Sequence, residues 1–140
     1  FTATNVMEYI TISTKGNGTD FGDGMNKNYW IGTMTNDQND RGVIVHTNAE
    51  MSYITLTTPS NAIEFGGEGT SNGLSSGQSP HSNGTDERGI LPGGHPTTQN
   101  VISYITISTT GNAQDFGGST FPNMTNNKNY EMGSLSNGAQ

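Results

Sequence analysis

Three acidic residues are the first place to look for chemistry. Asp20, Glu64 and Asp115 each lie 11 positions after a tyrosine (Tyr9, Tyr53, Tyr104) and are each followed by Phe-Gly. Two carboxylates can act as general acid and base, and glycoside hydrolysis needs such a pair roughly 5 to 9.5 Å apart in a cleft. These acids, however, hold equivalent positions beside the same Phe-Gly, which predicts a structural duty for each. A carboxylate placed there accepts backbone N–H bonds at a turn. Catalysis is therefore not expected. Arg41 and Arg88, each preceded by an acid and followed by glycine, are expected to make inter-strand or inter-repeat ion pairs, with those same carboxylates as candidate partners.

The other polar candidates are weaker. His46, His81 and His95 show no His-x-x-x-His spacing and read as loop residues rather than metal ligands. Asp20-x-x-Asp23-Gly24 and Asp37-x-x-Asp40 are short acidic loops of a kind that can hold Ca²⁺. Neither has the EF-hand spacing, so no metal and no cofactor is expected. Tyr29 and Trp30 are an adjacent aromatic pair that could stack on a sugar ring; packing within one strand is the favoured reading. Asn17, Asn83 and Asn123 open Asn-x-Thr sequons, which matter only in a glycosylating pathway.

What positions these residues is a repeat. Tyr9-Ile-Thr-Ile-Ser-Thr, Tyr53-Ile-Thr-Leu-Thr-Thr and Tyr104-Ile-Thr-Ile-Ser-Thr align without gaps through Asp20-Phe21-Gly22, Glu64-Phe65-Gly66 and Asp115-Phe116-Gly117. Asn-Lys-Asn-Tyr recurs at 26–29 and 127–130, and an acid followed by Arg-Gly recurs at 40–42 and 87–89. Three elements in one order define three copies, about 1–44, 45–92 and 93–140, within a single domain over 1–140. In each copy the Tyr-Ile-Thr-Ile run predicts a strand with Ile10 and Ile12 on one face. Gly16-Asn17 and Gly111-Asn112 predict the turn that follows it, as does Pro59-Ser60-Asn61 in the middle copy. Further strands are expected at Asp-Phe-Gly, near Met34 and at 41–45. Four short antiparallel strands per unit is the arithmetic of a β-propeller blade, so the fold class is all-β.

Composition narrows the function classes. Hydrophobic residues make up 29% of the 140 and charged residues 12%, while there are 20 glycines. The β-branched and aromatic islands argue for a turn-rich β protein rather than disorder. A net charge of −7 with 5 Lys and Arg leaves no basic footprint for nucleic acid and no pull toward anionic membranes. Cysteine is absent, which removes disulfides and thiolate chemistry. No apolar run approaches the ~20 residues that span a bilayer. The chain starts at Phe1, so a processed product or a segment of something longer is expected.

The pattern from Arg88 through Gly93-Gly94 and Asn100-Val101-Ile102 to Asp115-Phe116-Gly117 resembles the kelch-like repeats in structural proteins of large tailed bacteriophages, notably those of cyanobacteria. The resemblance covers essentially the whole chain and rests on repeat grammar. It implies propeller-like blades and a virion or extracellular setting. Three blades are too few to close a ring, so neighbouring repeats or a homo-oligomer would complete it. The expected function is that of a structural repeat protein in a phage fibre, tail or capsid-associated assembly. The alternative is a receptor- or glycan-binding module, with a cell-surface glycan met by the loops at 23–40, 67–86 and 118–138.

Overall fold

The structure is a computed structural model that describes residues 2–27, 31–36, 39–46, 50–67, 79–82, 84, 87–92 and 101–118. Those residues contain ten strands and no helix. Gly and Asn interrupt every helical period, while Val, Ile, Tyr and Thr favour extended backbone. The strands are β1 Val6–Tyr9, β2 Thr19–Asp23, β3 Gly32–Asn36, β4 Asn39–Val45, β5 Glu50–Thr55, β6 Ile63–Gly67, β7 His81–Ser82, β8 Arg88–Pro92, β9 Val101–Thr106 and β10 Gln114–Gly118.

They form three antiparallel sheets in chain order. The first is the hairpin β1-β2, the second the meander β3-β4-β5-β6, and the third the meander β7-β8-β9-β10. The all-β antiparallel expectation therefore holds, and four strands fall in each of the first two copies, β1–β4 and β5–β8. Sheets and copies do not coincide, however: β1-β2 stand as a two-stranded sheet, each four-stranded sheet draws its strands from two copies, and the described sheets do not close into a ring.

The predicted Tyr-Ile-Thr-Ile strand also shifts toward the N-terminus. β1 ends at Tyr9, β5 at Thr55 and β9 at Thr106, because a tight turn intervenes. Thr14, Thr58 and Thr109 each donate their N–H to the carbonyl three residues back, at 3.1–3.2 Å. Leu56 and Ile107 thus lie in the turn rather than in the strand.

The main core lies between the second and third sheets. Val43 pairs with Tyr53 and with Met34, and Val45 with Met51, so register puts Met34, Val43, Val45, Met51 and Tyr53 on one face. Phe65 joins them from β6. The facing surface of the third sheet supplies Leu91, Ile105, Ile107 and Ala113. Approach is closest at Gly89, where a side chain would collide with the Met34 sulfur. The opposite face of the second sheet carries Ile44, His46 and Ser52, all buried. It is turned toward the first hairpin, where an open cleft is lined by Val6, Met7, Asn26, Ile44 and His46.

Candidate functional site

The repeated residues converge on the junctions between successive sheets. Each acid-Phe-Gly forms a β-bulge. Met7 pairs with Gly22 and Glu8 with Asp20, which leaves Phe21 as the extra residue. The same slip leaves Phe65 and Phe116 extra in the other sheets. A bulge bends the strand and re-aims one side chain. Here the re-aimed ring meets the repeat tyrosine edge-on: Tyr9–Phe21, Tyr53–Phe65 and Tyr104–Phe116 have centroids 6.2, 6.2 and 6.0 Å apart. The glycine that follows has φ of +138°, +146° or +136° at Gly22, Gly66 and Gly117, a region that L side chains rarely enter.

The acids serve this bulge. Asp20 Oδ1 accepts the Gly22 N–H at 3.1 Å and Asp115 Oδ1 accepts the Gly117 N–H at 2.8 Å. Asp20, Glu64 and Asp115 are exposed and stand on three different sheets, so they do not make up a carboxylate pair within one sheet.

A second glycine constraint comes from the neighbouring repeat. A side chain on Gly22 would lie 2.4 Å from the Ser60 carbonyl oxygen, and one on Gly66 would lie 2.4 Å from that of Gly111. The turn of each later copy is therefore seated on the bulge of the copy before it. Asn61 Oδ1 accepts the Asp23 N–H at 2.9 Å, and Asn112 Oδ1 accepts the Gly67 N–H at 3.0 Å. Ala62 N–H then donates to Asp23 O at 2.8 Å, and Ala113 N–H to Gly67 O at 3.0 Å. At the second junction Gly111 N–H also reaches Phe65 O at 2.8 Å. The Gly-Asn and Ser-Asn pairs, expected to do no more than turn their own hairpins, are the connectors between sheets.

The acid-Arg-Gly element divides its labour in the same way twice. The Asp40 carboxylate accepts the Thr57 N–H at 3.1 Å as well as its hydroxyl, and the Glu87 carboxylate accepts the Ser108 hydroxyl. Each acid thus caps the turn after the next Tyr-Ile-Thr run. The arginine lies over the ring of the repeat tyrosine, Arg41 on Tyr53 at 4.2 Å and Arg88 on Tyr104 at 4.8 Å, a cation–π contact. Arg41 Nη1 also donates to Ile107 O across the sheets at 2.9 Å. Among the described residues, aromatic faces and a carbonyl stand where arginine–carboxylate pairs were expected. Gly42 leaves room for Ile54 and Leu56, as Gly89 does for Ile105 and Met34.

His46, expected in a loop, is buried at the end of β4, with Nε2 2.7 Å from the Ser52 hydroxyl. Burial pushes its pKa below the ordinary 6.5, and this outweighs the upward pull of Glu50. His81 lies in β7 rather than in a loop. Asn17 is exposed. Tyr29, Trp30, Asp37, Asn83, His95 and Asn123 lie outside the described residues. Among the described residues no cluster of His, Asp and Glu is placed to hold a metal ion.

Sequence reasoning passed over Asn61 and Asn112 as connectors and Asp40 and Glu87 as caps. The signal was present: an asparagine stands 8 positions after the tyrosine in all three copies, at 17, 61 and 112. Comparison with protein-family models and with the curated proteins gave no match.

Proposed function

We propose that this chain is a structural repeat protein of an extracellular or virion assembly, a fibre, tail or capsid-associated component built by stacking β-sheets. One observation carries the reading. The same connector, an asparagine turn seated on a Phe-Gly bulge, joins the first sheet to the second and the second to the third. Residues used once per repeat have structural partners: Asp20 and Asp115 fix their own bulges, and Arg41 and Arg88 lie on the tyrosine ring of the next strand. Such engagement supports a scaffold rather than an enzyme. Antiparallel four-stranded meanders packed face to face are also how consecutive propeller blades meet. Kelch-like blades are thus the finer reading of the fold.

Gold-labelled antibody against the chain, applied to particles or filaments from cells that make it, should decorate regular positions on them. Labelling confined to dispersed soluble protein would sink the proposal.

A further inference from the structure

The connector has two halves, and among the described residues one of each stands without its counterpart. In the first copy Asn17 is the equivalent of Asn61 and Asn112. Among the described residues none donates a hydrogen bond to Asn17, whereas Asn61 and Asn112 each accept a backbone N–H from the preceding sheet. Beside that turn Ile10 is 66% exposed and Ile12 95%. Their equivalents in the third copy, Ile105 and Ile107, are buried against the second sheet. At the other end, no described residue lies within 4 Å of where a Gly117 side chain would stand, whereas Gly22 and Gly66 are each covered by a turn. Phe116 is 52% exposed where Phe65 is 2% exposed.

We infer that these two surfaces are the halves of one interface, filled by a second copy of this chain. Its Gly16-Asn17-Gly18 turn seats on Phe116-Gly117-Gly118, and its Ile10 and Ile12 cover Phe116. Asn17 Oδ1 then accepts the Gly118 N–H, and Gly18 N–H donates to Gly118 O, as Asn112 and Ala113 do on Gly67. The occupant follows from continuity with the two internal junctions, which are built from the same residue types at the same spacing. Asp23 and Gly67 already show that the backbone at the Gly118 position donates this bond with or without a side chain. Because the two halves differ, the contact is head-to-tail, and it propagates as a filament or closes as a ring. This inference rests on the structural-assembly reading and supplies its contact.

The test is complementation, read by sedimentation velocity at rising protein concentration. Wild-type chain should assemble. Ile12→Asp, placed on a side chain that is 95% exposed, blocks the head. Phe116→Asp blocks the tail, with circular dichroism reporting that both variants stay folded. Each alone should need more than about tenfold higher concentration to assemble. Mixed, the live tail of one and the live head of the other should give one-to-one dimers and stop there. The chain has no cysteine of its own, so Asn17→Cys and Gly118→Cys chains, mixed and oxidised, should cross-link to each other. Assembly that survives both blocking variants, or cysteine variants that do not cross-link, would overturn this interface and leave the structural-assembly reading standing. Wild-type chain that stays monomeric at every concentration would overturn both.

Discussion

The Tyr-Ile-Thr-Ile segment occurs at both ends of the chain in nearly identical sequence and in two different settings. In the third copy Ile105 and Ile107 are buried between sheets, and β9 has a strand on each side. In the first copy Ile10 and Ile12 face solvent, and among the described residues β1 has β2 alone as a partner. The ring pair and the bulge are the same in both, with Tyr–Phe edge contacts at 6.2 and 6.0 Å and glycine φ at +138° and +136°. Local sequence thus builds the hairpin, and neighbours decide what it buries. Tyr9 has no arginine over its ring among the described residues, whereas Tyr53 and Tyr104 each have one. The third setting therefore gains from an added strand as well as an added sheet.

Equivalent substitutions at the two ends should separate these contributions. The largest difference is expected for the isoleucines. Ile107→Ala should cost about 2–5 kcal/mol in chemical denaturation through lost packing and a residual cavity. Ile12→Ala should stay within about 0.5 kcal/mol, as an exposed position does. Equal losses would mean that the first hairpin is buried by contacts other than those described.

The glycines come next. Gly117→Ala should cost about 1–3 kcal/mol from backbone strain alone. Gly66→Ala adds a collision with the Gly111 carbonyl and should cost visibly more, with a lower melting temperature. If the two lose the same stability, the seated turn contributes nothing to the requirement for glycine at 66.

Smaller still, Asn112→Ala should cost about 1 kcal/mol for the bond to Gly67, against no measurable change for Asn17→Ala in the monomeric chain. The thermal midpoints of the two variants give the comparison directly.

A pH effect tests the middle sheet against its neighbour. The His46 ring lies against the Ser52 hydroxyl, while the hydroxyl of Ser103, the equivalent residue, is buried with no hydrogen-bond partner among the described residues. The folded pKa of His46 lies below the ordinary 6.5, so as pH falls the unfolded chain takes up its proton first. The His46 contribution to stability is full above pH 6.5 and is lost as pH falls from there toward the lower folded value. The slope is at most about 1.4 kcal/mol per pH unit. His46→Gln, which keeps a partner for Ser52, should flatten that slope in denaturant midpoints followed down to mildly acidic pH. A slope unchanged in the variant would assign it to another group.

Much of the repeat could be read from residue spacing, since Tyr, acid, Phe and Gly recur at fixed intervals and each occupies the same local geometry. The strand ends could not. Alternation of Ile and Thr continues through residues 10–13, and period-two patterning cannot show that a threonine turn breaks the strand at Tyr9. The arginine partners were hidden for a different reason. Charge alone pairs Arg41 with a carboxylate, but the register of β4 on β5, with Arg41 opposite Thr55, sets it above Tyr53. The connector was legible as a repeated Asn and illegible as a contact, because its partner lies 38 residues away for Asn61 and 45 for Asn112. Separations of that size depend on how sheets stack, which no local pattern records.

The connector also sets a direction in time. Every capping asparagine comes from the later repeat and every bulge from the earlier one. A bulge that emerges first during synthesis therefore waits, with the N–H of the residue after its glycine unpaired and its phenylalanine wet, until the next hairpin has left the ribosome. Folding of such a chain is vectorial: each hairpin finishes the one before it and leaves its own bulge for the next.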